Sequence, residues 1–167
     1  DVRRDVLYCD RPDSARRCAT RTVMDLAFER LTMWLSPLIP FTTEEAWGTR
    51  FPEAGSNSLR VFPETPDAWL NPAEAARWEK VKAVTSVVTG ALEIERREKR
   101  IGSALEAAPV VHIADQDLLA AFDGLDAAEV FRTSQATLVA GAGPAGAFRL
   151  GEQSGVAVEP LKAVGAK

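Results

Sequence analysis

The chain has 167 residues, 46% of them hydrophobic and 26% charged, with a formal net charge of −4. That is enough for one ordinary domain or two small ones with a packed core, which excludes global disorder. The acidic balance excludes a wholly basic nucleic-acid binder, but permits a protein that meets RNA through one patch.

Residues 1–9 read as the tail of a helix, opening without an initiator Met, and so as a piece of a longer protein. They are no signal peptide, and no apolar run approaches the roughly 20 residues of a membrane span. Asp10–Ser14 is a polar connector in which Pro12 fixes a turn and Asp13 or Ser14 can cap the next helix. From Ala15 to about Ser36 the pattern is helical. Cys18, Thr22, Leu26, Leu31, Trp34 and Leu35 recur at spacings of three and four, with Arg16, Arg17, Arg21 and Arg30 interleaved.

Pro37 and Pro40 forbid a helix interior between them. The next helix is predicted to open at Thr42, with Thr42 and Glu45 as a capping box and Phe41 beginning a hydrophobic staple. It carries Trp47 and ends near Phe51-Pro52. Residues 52–72 form a long connector rich in turn residues, holding Val61, Phe62 and Trp69.

A second long helix is predicted from about Pro72 to Ile101. Val81, Val84, Val87, Val88, Ala91, Ile94 and Ile101 make its apolar stripe. At about 100° per residue, Arg96, Arg97 and Arg100 lie opposite that stripe, with Lys99 at its flank. Gly102 is the expected residue just past the helix end. Beyond Ala108 the texture changes. Pro109–Ile113, Ala136–Ala140, Ala147–Leu150 and Gly155–Pro160 read as strands, and Asp115–Phe122 and Asp126–Phe131 as short helices. The layout is a helical part followed by a small α/β part.

Catalytic chemistry is hard to place. The single histidine, His112, sits in a strand pattern without triad partners and reads as structural. Cys9 and Cys18 match no zinc or redox spacing and read as reduced thiols in a reducing cytosol. Glu44 and Glu45 diverge around a helix by about 100°, too far to act as a catalytic pair. The Gly-rich run at 141–146 lacks the helix that a phosphate loop needs after it, and reads as a turn.

What remains is binding. Arginine's planar fork suits phosphates, and two clusters qualify: Arg16, Arg17 and Arg21, and Arg96, Arg97, Lys99 and Arg100. The plainer reading is a solvated helix face, with Glu93 reaching Arg97 and Glu95 reaching Lys99 at i,i+4. Trp34 and Trp78 lie on apolar stripes and are expected in the core. Trp69, in the connector, is the freest to stack on an unpaired base.

The run Arg4–Asp10, then Ser14 and Arg16-Arg17, then Leu38–Trp47, resembles the anticodon-binding helical domain of class I aminoacyl-tRNA synthetases. The Pro-Phe-Thr-x-Glu-Glu-x-Trp element at 40–47 is shared, in variants, by the isoleucine, valine and leucine branches. The Asp-x-Leu-Tyr-Cys-Asp start at 5–10 and the stretch Lys99–Ala107 resemble the isoleucine branch more narrowly. Arg4 stands where lysine would be expected.

The resemblance implies a mainly α fold: an antiparallel helical bundle followed by a small α/β subdomain. The implied parts are 1–72 (anticodon-binding helices and connector), 73–101 (long linking helix) and 102–167 (C-terminal α/β subdomain). It implies an ATP-dependent ligase of translation whose catalytic and editing domains lie outside this stretch. The stretch itself would be non-catalytic and would grip the anticodon arm of isoleucine tRNA, with the two basic clusters as candidate contacts. The implied partners are that tRNA and the remaining domains of the same synthetase, with no membrane, in a cytoplasmic monomer. No cofactor is implied within the stretch; the parent would use ATP and Mg, with Zn in a four-cysteine C-terminal module that many bacterial members carry. The alternatives are the equivalent region of a valine or leucine enzyme, and a protein-interaction or scaffolding module without an RNA role.

Overall fold

A computed structural model describes residues 3–151 and 155–165. The chain divides into two compact units, Arg3–Leu70 and Asn71–Lys167.

The first unit holds α1 (Arg4–Cys9), α2 (Ala15–Trp34) and α3 (Pro40–Arg50), then two single 3-10 turns at Asn57–Leu59 and Asp67–Trp69. Ser14 caps α2: its hydroxyl oxygen accepts from the Arg17 amide at 3.4 Å and its O–H donates to Asp10 at 2.9 Å. α3 begins earlier than the capping-box reading places it. Pro40, with its φ already fixed near the helical value, takes the first helical position after Ile39. Thr42 is therefore inside the helix and forms no box, and Phe41, 89% exposed, forms no staple. Thr43 is the buried threonine, and its hydroxyl donates back to the carbonyls of Ile39 and Pro40.

This unit is held by a polar network around one ring. Trp47 is buried, donates from Nε1 to the Gly55 carbonyl at 3.2 Å, and packs on Phe51 with centroids 4.5 Å apart. The Arg60 guanidinium lies 3.5 Å from the Trp47 ring centroid. Arg60 donates to Asn57 Oδ1 at 3.0 Å and to Glu29 at 3.4 Å, and the buried Asn57 amide donates to the Thr32 carbonyl at 3.0 Å. The connector is thus tied to α2 and α3.

Hydrophobic burial here is thin. Among the described residues of this unit only Val6, Met33 and Trp47 are buried apolar side chains. The expected core face of α2 is largely exposed: Cys18, Thr22, Leu31, Trp34 (48%) and Leu35 are exposed, and Leu26 is half-buried. Trp34 is therefore not a core residue of this unit. α3 and the connector cover α2 on its Thr32–Met33 side instead.

The second unit opens with α4 (Pro72–Arg97), capped by Asn71, whose side chain accepts from the Glu74 amide at 3.0 Å. Val81, Val84, Val87, Val88, Ala91 and Leu92 are its buried face. They pack with the buried side chains of a three-stranded sheet, ordered β2-β1-β3, made of β1 (Val110–Ile113), β2 (Thr137–Ala140) and β3 (Val156–Glu159). β1 pairs parallel to β2 and antiparallel to β3. It alternates as a half-buried strand should: Val111 and Ile113 are fully buried, Val110 and His112 are not. α5 (Gln116–Ala120) and α6 (Ala127–Phe131) cross from β1 to β2, each capped by an aspartate, Asp115 and Asp126. Phe122 and Phe131 close the core with centroids 5.6 Å apart. Residues 147–150 contribute one isolated bridge, Phe148 to Val158, and not the expected strand.

α4 ends at Arg97, not at Ile101. Lys99 adopts φ 59° and is the left-handed residue past the helix end, in place of Gly102. The Arg100 amide donates to the Glu95 carbonyl at 2.9 Å and the Lys99 amide to the Arg96 carbonyl at 3.1 Å, the paired bonds of a Schellman motif. From Glu93 to Arg100 only Ile94 is apolar, so little holds the last turn straight, and the reversal delivers Ile101 to the core. A side chain with a Cβ pays about 1–2 kcal/mol for this conformation. Lys99→Gly is therefore expected to stabilise the unit by about 0.5–1 kcal/mol, net of glycine's greater unfolded freedom. The check is the denaturant midpoint at unchanged slope; a lower midpoint would refute the cap assignment.

Candidate nucleic-acid interface

The second basic cluster sits on the last turn of α4 and the reversal after it. Arg96, Arg97, Lys99 and Arg100 are all exposed; Lys99 and Arg100 lie past the helix end, so the predicted helical phase relative to the valine stripe does not hold for them. The helix C-terminus itself favours cations. An open groove of about 450 Å³ lies against Glu93, Ile94, Arg96 and Arg97.

The structure separates these four cations into two pairs. Arg96 donates to Glu93 at 2.9 Å. Arg100 grips Glu95 with two parallel bonds, Nε and Nη2 each at 2.6 Å, and also pairs with Glu98. This holds the Glu95 carboxyl below its ordinary range, chiefly through the Arg100 hydrogen bond. The same bond pushes the Arg100 guanidinium further up. Arg97 and Lys99 have no ion pair or hydrogen bond from their side chains among the described residues. The expected i,i+4 pairs, Glu93 to Arg97 and Glu95 to Lys99, are not formed. Glu93 chooses the i+3 residue, and the helix has ended before Lys99 could come round to Glu95. Glu98 had no assigned part; its place two residues before Arg100 was the available signal.

The first cluster is less open than its spelling. Arg17 is partly buried: Nη1 donates to the Asp10 carbonyl at 2.7 Å, and its Nε is buried without a partner. It ties the start of α2 to the connector before it. Arg16 is exposed and also has a partner. Arg21 is exposed with an unpaired side chain among the described residues. The two clusters lie in different units, so the free cations are Arg21 in one and Arg97 and Lys99 in the other.

The aromatic candidates divide similarly. Trp78 packs on the core of the second unit and donates to Glu74 at 2.8 Å. Trp69 is about half exposed, with the Arg30 guanidinium 4.5 Å from its ring centroid.

Other chemistry is closed off by geometry. His112 Nε2 lies 2.6 Å from Glu159 Oε1, and its ring is covered by Gly143, where a Cβ would come within 2.8 Å of it. Gly143 also has φ 69°, so glycine is required there twice over. The Gly-rich loop turns carbonyls inward: Arg149 donates to those of Ala142, Gly143, Pro144, Ala145 and Ala147. A phosphate cradle needs inward N–H groups, so this loop holds a cation and does not fit a nucleotide. No three His, Cys, Asp or Glu residues are grouped to hold a metal among the described residues. Cys9 and Cys18 are both free and exposed. No helix among them is long and apolar enough to cross a membrane.

The family model described as the anticodon-binding domain of tRNA ligase matches residues 1–112, and the chain belongs to that family. Over all 167 residues it is 72% identical to an isoleucine–tRNA ligase of Caulobacter vibrioides. Identity is 57% to that of Agrobacterium fabrum and 52% to that of Brucella abortus, again over the whole chain. The chain spans 17% of the length of each of these relatives.

Proposed function

We propose that this chain is the anticodon-arm-gripping part of an isoleucine–tRNA ligase, which attaches isoleucine to its tRNA at the expense of ATP. The observation that carries the reading is the anticodon-binding match over residues 1–112, because it includes the basic end of α4 with its free cations Arg97 and Lys99. Phosphate contacts from such side chains supply affinity, and splayed anticodon bases supply specificity through stacking and edge contacts. The candidate contacts are Arg16, Arg21, Arg96, Arg97, Lys99 and Arg100, with Arg17 acting through the α2 start that it anchors.

The Gly-rich loop is closed on Arg149 as a ring of carbonyls, which supports placing ATP and Mg elsewhere. Those groups belong to other parts of the parent, a cytoplasmic monomer in this reading. The exposed apolar side chains Val23, Leu31 and Trp34 of α2, with Leu38 in the turn after it, support docking by the remaining domains of the same polypeptide, which would complete an antiparallel helical bundle. In this reading the working divisions are 1–72, 73–101 and 102–167.

The test is aminoacylation by the full-length protein carrying Arg21→Gln with Arg97→Gln and Lys99→Gln. The expected result is a raised KM for isoleucine tRNA with a smaller change in kcat, the mark of lost uniform binding. An unchanged KM would refute the assignment and favour the protein-interaction reading.

A further inference from the structure

Residues 93–100 hold four cations and three carboxylates within two turns of chain. The carboxylates are not scattered among the cations at random. Glu93 takes Arg96, while Glu95 and Glu98 both take Arg100, leaving Arg97 and Lys99 alone. The fork of Arg100 on Glu95 is the two-bond geometry that a guanidinium offers a phosphate. The Arg96 and Arg100 side chains are more than half exposed and Glu93 and Glu98 are open beside them, whereas the Glu95 side chain is only 13% exposed, so an incoming phosphate reaches Arg100 from its outer side.

We propose that Glu93, Glu95 and Glu98 are internal stand-ins for phosphate, which occupy Arg96 and Arg100 until RNA displaces them. This rests on the reading that the patch meets RNA, and it adds a selectivity mechanism to it. A polyanion arriving in any register can reach Arg97 and Lys99. Only one whose phosphates fall in line with Arg96 and Arg100 can exchange with the carboxylates, and one out of line meets their negative charge. The carboxylates therefore lower affinity for every RNA and lower it most for the wrong ones. They are positioning residues and would not touch the reacting atoms.

The experiment is filter binding of the full-length protein to isoleucine tRNA and to a non-cognate tRNA, over salt from about 50 to about 200 mM. The variants are Glu93→Gln, which frees Arg96, and the Glu95→Gln/Glu98→Gln double, which frees Arg100, beside Arg97→Gln with Lys99→Gln. Each freed guanidinium should tighten binding about two- to fivefold, the scale of an exposed ion pair. It should also steepen the salt slope by up to about 0.7–0.9. The non-cognate tRNA should gain more than the cognate. Glu93→Gln, whose carboxylate pairs only with Arg96 among the described residues, keeps the test sharp if the double variant loosens the helix end. A merely structural role would shift melting temperature and leave the salt slope alone. If the glutamate variants leave affinity and slope unchanged while the Arg97 and Lys99 variant weakens binding, the stand-in proposal is overturned and the RNA reading survives. If neither set changes anything, both are overturned.

Discussion

Trp47→Ala is expected to destabilise the Arg3–Leu70 unit by about 3–5 kcal/mol, the range for truncating a large buried aromatic. The unit has few other apolar anchors, since only Val6 and Met33 are buried beside it among the described residues. The loss would not stop at a cavity. Without the indole, Gly55 loses its donor, Phe51 the nearer of its two ring partners and Arg60 the surface on which its guanidinium lies. Arg60 would be left partly buried over an empty site with Asn57 and Glu29. The connector between α3 and α4 should then become accessible to protease under native conditions. Trp47→Phe keeps a ring for the stack and loses one hydrogen bond, so it should retain most of the stability. Limited proteolysis with denaturant unfolding of the full-length protein measures both. Equal resistance of Trp47→Ala and the parent would show that the polar network holds the connector without the ring.

Arg97→Gln with Lys99→Gln is expected to weaken binding of isoleucine tRNA by about 30-fold at about 0.1 M salt. Each phosphate contact adds about 0.7–0.9 to the slope of log affinity against log salt, so two contacts lose about 1.4–1.8. Relative to about 1 M salt, where the counterion contribution vanishes, that difference is roughly one and a half decades at about 0.1 M. The salt series is the discriminating measurement, because misfolding would lower affinity without this signature. Arg96→Gln with Arg100→Gln should cost less, since a phosphate contact there would come only in exchange for carboxylate contacts already made. Parallel salt lines for the Arg97 and Lys99 variant and the parent would remove those two residues from the interface.

Much of the fold was legible because it depends on local signals. Asn71-Pro72 marks the start of α4 as a side-chain cap followed by a residue without an N–H. The valines at 81, 84, 87 and 88 mark its buried face, and the apolar run from Pro109 to Ile113 marks β1, whose burial turns out to alternate. The errors fall where local signals compete. Pro40 and Thr42 both announce a helix start, and the backbone constraint of proline prevails over the side-chain bond of threonine. Gly102 is the better left-handed residue, yet Lys99 takes that role because Ile101 must reach the core. Trp34 lies on an apolar stripe, but a stripe shows which face is apolar and not whether anything covers it. The composition of the basic patch was readable; its pairing was not, because it depends on where the helix stops to within two residues.

The order of the three strands carries a consequence for synthesis. β3 is made after α4, β1 and β2, yet Val156 and Val158 lie in the same core as Val84 and Val88 of α4. Until β3 emerges, one edge of β1 has no strand on it and the core is missing those two valines. A nascent chain stalled before Val156 would therefore display a half-built hydrophobic face, a target for chaperones and for degradation. The central strand is safe only when translation has passed the whole unit.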